Sequence, residues 1–114
     1  MKKIEAIIKP EKVRDVLDVL KQIGVNGVTV VSVRGQGTGA RPLIRDSRGT
    51  PLHTAEYNPM SSVITIVNDS VVNSVMEAIA RIVVSGSRGS GKVFVFPVEE
   101  VMDLENGRRT SNLT

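Results

Sequence analysis

The chain has 114 residues, 40% of them apolar, and a formal net charge of +3; that length fits one domain, and that composition excludes a disordered chain. Cysteine is absent, which excludes a disulfide framework, a thiolate metal site and a cysteine nucleophile. No run nears the roughly 18–20 apolar residues that cross a bilayer, and Met1-Lys2-Lys3-Ile4-Glu5 lacks the apolar core of a signal peptide, so a cytoplasmic location is expected.

Val and Ile dominate the apolar set, against two Phe, one Tyr and no Trp, a balance that favours strands. Residues 2–8 alternate and then turn wholly apolar, which predicts the first strand. Pro10 suits the first turn of a helix and Glu11 its positive end. Val13, Val16, Leu17, Leu20 and Ile23 recur at helical spacing, and Gly24 supplies the stop. Residues 27–34 predict a second strand, with Val28, Val30 and Val33 toward a core. From Gly35 to about Met60 no period survives. A stretch of about 25 residues without a pattern is rare in a compact domain and is read as a binding loop rather than a bare insertion. The pattern returns at Ser62-Val63-Ile64-Thr65-Ile66-Val67-Asn68, a third strand. Asp69 or Ser70 is the expected N-cap of a second helix. Its apolar stripe is Val72, Val75, Met76, Ile79, Ile82 and Val83, and its end is expected at Ser85-Gly86. Residues 92–96 predict a fourth strand, followed by a short segment from Val98 to Leu104. After Gly107 the polar tail is expected to be loose.

The order is β-α-β, loop, β-α-β, which defines an α+β, ferredoxin-like βαββαβ sandwich in a single domain over 1–114. Both helices of such a fold lie on one face of the sheet. The second strand offers apolar residues to both faces, Val30 and Val31 among them, so the uncovered face is expected to be buried by self-association.

Two glycine clusters bear on chemistry: Gly35-Gln36-Gly37-Thr38-Gly39 after the second strand, and Gly86-Ser87-Arg88-Gly89-Ser90-Gly91-Lys92 before the fourth. Glycines let backbone N–H groups approach phosphates, and a following lysine adds a point charge. The second cluster runs from helix into strand, the reverse of a P-loop, and a plain turn explains either cluster taken alone. Together they point to a nucleotide cleft. Nucleic acid is not expected as a partner: Arg41, Arg45 and Arg48 have Asp46 among them, Arg108 and Arg109 stand near Glu99, Glu100, Asp103 and Glu105, and aromatic platforms are lacking. Catalysis has little support. His53 is the one histidine and has no nearby cysteine or paired carboxylate, Glu99 and Glu100 are adjacent rather than facing, and no metal-ligand cluster is visible.

The opening from Met1 to Pro10 resembles that of the PII signal-transduction proteins, and Gly27-Val28-Thr29-Val30 followed by Arg34-Gly35-Gln36-Gly37 continues the likeness. Ser85-Gly86 through Gly91-Lys92 and on to Pro97-Val98-Glu99 resembles the family's B-loop, about 85–92, and fourth strand. The resemblance implies a homotrimer with nucleotide clefts between subunits and a T-loop, about 36–60, that docks on a protein target. It implies that Thr29, with backbone near Ile7 and Ile64, meets the adenine edge. Gly35, Gln36, Gly37 and Thr38 would line the base of the T-loop, and Gly89, Gly91 and Lys92 would hold phosphates.

The departures from the family pattern carry equal weight. The resemblance places an Arg and a Gln after the second T-loop glycine, where this chain has Thr38 and Gly39, and a lysine after Pro59, where it has Met60. That Gln serves the family as a magnesium ligand and helps hold 2-oxoglutarate, which the lysine pairs; glycine and methionine do neither. Each lost charged hydrogen bond is worth about 1.5–3 kcal/mol, so 2-oxoglutarate binding is not expected. Two family arginines beyond the fourth strand fall on Asp103 and Glu105, whose carboxylates repel a triphosphate unless Arg108, Arg109 or the B-loop Arg88 compensates. ADP or AMP is therefore expected over magnesium-ATP, as a ligand of a regulator and not a cofactor of an enzyme. Glu56-Tyr57 resembles the context of the family's modified tyrosine, but the preceding motif is absent and the spacing to Pro59 is short, so uridylylation at Tyr57 is not expected. In the T-loop, Arg41, Leu43, Ile44, Arg45 and Arg48 are the candidate contacts for a partner, a membrane transporter or a metabolic enzyme. The alternatives are a conventional nitrogen-regulatory PII protein binding ATP, a trimeric ferredoxin-like metal- or anion-binding protein, and a phosphohydrolase using Asp103 or Glu105.

Overall fold

The computed structural model describes residues 1–37, 57–84, 86 and 90–113, together with the backbone of 43–44 and 53–54. Strand β1 spans Lys2–Ile8, and Pro10–Lys12 form one 3-10 turn leading into helix α1, Val13–Ile23. Gly24 takes φ 90°, ψ 33°, and its N–H closes the helix onto the carbonyls of Leu20 and Lys21. Only glycine adopts that left-handed C-cap without strain. Strand β2 covers Thr29–Gly35, and the short strands β3, Leu43–Ile44, and β4, His53–Thr54, pair as a small antiparallel hairpin within the long loop. Strand β5 runs Asn58–Val67, helix α2 Val72–Val83, and strand β6 Gly91–Pro97. A second small hairpin, β7 at Val101–Met102 with β8 at Arg109–Thr110, follows.

The main sheet is antiparallel in the order β2-β5-β1-β6, the ferredoxin-like arrangement expected from the element order. Ile4, Ala6 and Ile8 of β1 alternate with partly exposed neighbours and are buried with Val63, Val67, Val16, Leu20, Val75 and Ile79. Both helices therefore cover the face of even-numbered β1 residues. Strand pairing carries that face to Val63 and Thr65 on β5 and to Val93 on β6, and leaves Glu5, Ile7, Ile64, Lys92 and Phe94 on the other. No described helix is long and apolar enough to cross a membrane.

Five expectations need correction. Strand β5 starts at Asn58 rather than Ser62, because Pro59 lies at the edge pairing with Arg34, where a proline is tolerated. Neither Asp69 nor Ser70 is the N-cap of α2: a 3-10 turn, Asp69–Val71, precedes the helix, Asn68 holds the cap position of that turn and Val71 that of α2, and neither side chain makes a cap bond. The helix also ends at Val83, with Val84 already extended, rather than at Ser85-Gly86. Val28 and Val30 are exposed rather than in the core, since β2 is an edge strand beyond the helices, and Val33 belongs to the uncovered face. The tail after Gly107 is not loose: β8 pairs with β7, and Leu113 is held by Asn68.

One buried hydroxyl fixes the connection into β2. Thr65, 3% exposed, donates from Oγ1 to the Gly27 carbonyl at 2.7 Å. Thr65→Val keeps the shape and removes the donor, and is expected to lower unfolding free energy by about 1 kcal/mol. Urea denaturation checks it; an unchanged midpoint would show that the bond to Gly27 adds nothing.

Candidate nucleotide-binding face

The uncovered face carries four of the residues singled out in the sequence: Ile7, Thr29, Ile64 and Lys92. Cross-strand register sets Ile7 between Ser62 and Lys92, and Thr29 opposite Ile64. Side chains of residues that pair directly point to the same side of a sheet, so Ile7, Thr29, Ile64 and Lys92 share one face. Thr29 and Lys92 are exposed, whereas Ile7 and Ile64 are half-buried by their neighbours. Lys92 has no ion-pair partner among the described residues. Thr38, Arg41, Arg45, Arg48, Arg88 and Gly89 lie outside the described residues. Of the partner-contact candidates, Leu43 and Ile44 are described as the backbone of β3.

Both glycine clusters lead into the same end of the sheet. Gly35 is the last residue of β2 and pairs with Asn58, and Gly91 is the first of β6 and pairs with Ile8, the last residue of β1. Gly91 has φ 127°, and a Cβ there would lie 2.1 Å from the Ile7 carbonyl oxygen. Sequence reasoning assigned this glycine to phosphate alone. Its close approach to β1 is a second requirement for it, legible only in three dimensions. At the root of the long loop, Met60 pairs with Val33, its Cγ 3.6 Å from where a Gly35 Cβ would stand, so an apolar side chain occupies the place where the resemblance expects a lysine. Tyr57 stands just before β5 with the Arg34 guanidinium 5.6 Å from its ring centroid, a cation–π contact at the loop stem.

The two edges of the sheet hold different halves of the set. Strands β2 and β6 are the outer strands, so Thr29 and Lys92 are separated by three strand spacings, about 14 Å. The C-terminal hairpin is rooted at the far end, where Pro97 pairs with Lys2 and the Val98 N–H donates to the Met1 carbonyl. About 20 Å of strand separates that root from Gly91. Within the hairpin, Arg109 donates from Nε to Glu100 Oε1 at 2.6 Å, which commits it to Glu100 and leaves Arg108 as the tail cation open to a ligand. Asp103 is engaged locally, its Oδ1 accepting the Glu105 N–H at 2.9 Å.

Two charged residues on the uncovered face are partnered inside the chain. Ser62 donates from its hydroxyl to Glu5 Oε2 at 2.7 Å, Lys3 Nζ lies 4.0 Å from Glu5 Oε1, and the same ammonium sits 5.1 Å from the Phe96 ring centroid. Glu5, Ser62 and Asn68 were not singled out in the sequence; each acts through a partner distant in the chain, and no spacing rule marks such a pair. A groove between α1 and α2, lined by Val19, Gln22, Ile23, Ala78, Arg81 and Ile82, opens on the helical side, away from these residues. Among the described residues no group of three or more His, Cys, Asp or Glu comes together as a metal site.

Fold and register define a small ferredoxin-like α+β domain, and comparison with known proteins fixes its class. The family model described as "Nitrogen regulatory protein P-II" matches residues 1–108. The chain is 37% identical over 111 residues to the nitrogen regulatory protein P-II of Azospirillum brasilense, covering 96% of each chain. Identity is 37% over 114 residues to that of Pasteurella multocida, with 98% of each covered, and 36% over 109 residues to nitrogen regulatory protein P-II 1 of Escherichia coli (strain K12), with 94% of each covered. The chain belongs to the P-II family of signalling regulators. Proteins of that family form trimers, bind adenine nucleotides and 2-oxoglutarate as effectors, and act on target proteins.

Proposed function

We propose that this chain is a divergent P-II regulator that reads adenine-nucleotide state without 2-oxoglutarate, taking ADP or AMP in preference to magnesium-ATP. The observation that carries the reading is the placement of Met60: it sits on the ligand-bearing face at the loop root, packed toward Gly35 and paired with Val33. A methionine there offers no charge to a dicarboxylate, and burying a carboxylate without a partner is costly. Nucleotide would lie in a cleft between neighbouring subunits of a homotrimer. The separation of the Thr29 edge from the Lys92 edge supports this, because two chains can bring together what one chain holds apart. Thr29 and Ile64 would meet the base. Gly35, Gln36, Gly37 and Thr38 would follow the sugar and phosphates, and Gly89, Gly91, Lys92, Arg88 and Arg108 would hold the anionic end. Occupancy would order or release residues 36–60, and Arg41, Leu43, Ile44, Arg45 and Arg48 would present the surface that a transporter or metabolic enzyme recognises.

Calorimetric titration with AMP, ADP, ATP and cyclic AMP, with and without magnesium and 2-oxoglutarate, tests the reading. Preferential binding of ADP or AMP, indifferent to 2-oxoglutarate, is expected. Tight magnesium-ATP binding strengthened by 2-oxoglutarate would replace the proposal with an ordinary nitrogen sensor. Lys92→Ala removes a charged hydrogen bond worth about 1.5–3 kcal/mol and is expected to weaken ADP about ten- to hundredfold with the oligomer intact. If this variant binds as tightly as the parent, Lys92 does not hold phosphate.

A further inference from the structure

Asn68 occupies the N-cap position of the 3-10 turn leading into α2, and its side chain does not cap. At that position an asparagine side chain ordinarily accepts a hydrogen bond from an N–H of the first turn. Here the first-turn bond is made by the backbone instead, the Val71 N–H donating to the Asn68 carbonyl at 3.0 Å. The side-chain amide turns to Leu113, 45 positions away: Nδ2 donates to the Leu113 carbonyl at 2.6 Å and Oδ1 accepts the Leu113 N–H at 3.1 Å. Both functions of the amide are matched to both polar groups of one peptide unit, a geometry that needs donor and acceptor together.

This clamp closes a loop. Residues 98–113 leave the sheet at Val98, bonded to Met1, and return at Leu113, bonded to Asn68. Met1 and Asn68 flank the ends of β1 and β5, where Lys2 pairs with Val67. Between these anchors stands the β7–β8 hairpin, its tip closed by the Gly107 N–H to the Asp103 carbonyl at 2.7 Å and the Asp103 N–H to the Arg108 carbonyl at 2.8 Å. Leu104 at the tip is 90% exposed, so the hairpin projects from the body and its direction depends on its two anchors. Arg108 rides on it.

We propose that Asn68 is a positioning residue for nucleotide binding: its amide clamp on Leu113 aims the C-terminal hairpin so that Arg108 meets phosphates held at the Lys92 edge of a neighbouring subunit. This rests on the nucleotide reading above. Released from Leu113, the Asn68 side chain would be free to cap the Asp69–Val71 turn that leads into α2, so opening the clamp would exchange one set of hydrogen bonds for another.

Asn68→Asp separates aiming from folding. The carboxylate keeps an acceptor for the N–H groups of the Asp69–Val71 turn, but it loses the donor to the Leu113 carbonyl. The expected result is unchanged or raised thermal stability, faster hydrogen exchange at residues 109–113, and ADP bound roughly tenfold more weakly, the loss of one charged hydrogen bond. In an Arg108→Ala background the same substitution should weaken ADP no further, because the two residues act through one contact. Faster exchange at 109–113 with unchanged ADP affinity, or full additivity with Arg108→Ala, overturns the positioning role alone. Unchanged exchange overturns the clamp itself. A parent protein that binds no adenine nucleotide overturns the nucleotide reading and the positioning role with it.

Discussion

Gly91→Ala is expected to lower the unfolding free energy by about 2–6 kcal/mol, from backbone strain of about 1–3 kcal/mol and overpacking of similar size. The φ of 127° is one that side chains with a Cβ rarely adopt, and the added carbon would stand 2.1 Å from the Ile7 carbonyl oxygen. Relief by movement is blocked, because Ile7 lies in a strand paired on both sides, with Ser62 and with Lys92. Against a total stability of about 5–15 kcal/mol for a domain, the effect is large. Guanidinium denaturation reads it directly; a midpoint within error of the parent would mean that β6 does not approach β1 as closely as described. Because Gly91 also precedes Lys92, weakened nucleotide binding should accompany the loss of stability.

Phe94→Asp is expected to convert the proposed homotrimer to monomers while leaving each chain folded. Phe94 lies on the uncovered face, 42% exposed within the single chain, with its ring centroid 6.4 Å from that of Phe96. Val31 on the same face is 44% exposed. Lys3 and Glu5 are already partnered beside them, so the part of this face around Phe94 can be covered without stranding either charge. An aspartate at position 94 would strand one in every subunit, at several kcal/mol each. Sedimentation equilibrium should report a monomer, with circular dichroism like that of the parent. Retention of the oligomer would place the subunit interface elsewhere and remove the argument for an intersubunit cleft.

The consequences reach the proposed ligand site, because in that reading Thr29 and Lys92 are brought together by two neighbouring chains. Loss of the oligomer should therefore abolish nucleotide binding even though position 94 is not among the proposed ligand contacts. In Lys92→Ala the order is reversed, with the oligomer kept and the ligand lost. The pair of variants separates assembly from recognition.

Much of this was legible in the residues themselves. The β1 alternation that buries Ile4, Ala6 and Ile8, the helical spacing of Val16 and Leu20, and the glycine at position 24 each follow from a local rule, because period and steric freedom are properties of a short segment. The order of elements predicted the ferredoxin-like sandwich, residue blocks such as Met1 to Pro10 carried the family resemblance, and the glycine clusters marked the sheet end to which both loops return. The tertiary structure decided what depends on residues far apart in sequence. It set Ile7 beside Lys92 and Thr29 beside Ile64 by strand register, brought a carbonyl against Gly91, bound Arg109 to Glu100, and drew Asn68 away from its helix to Leu113. A hydrogen bond between residues 45 positions apart leaves no period in the chain, whereas a buried face repeats every two residues or every three to four.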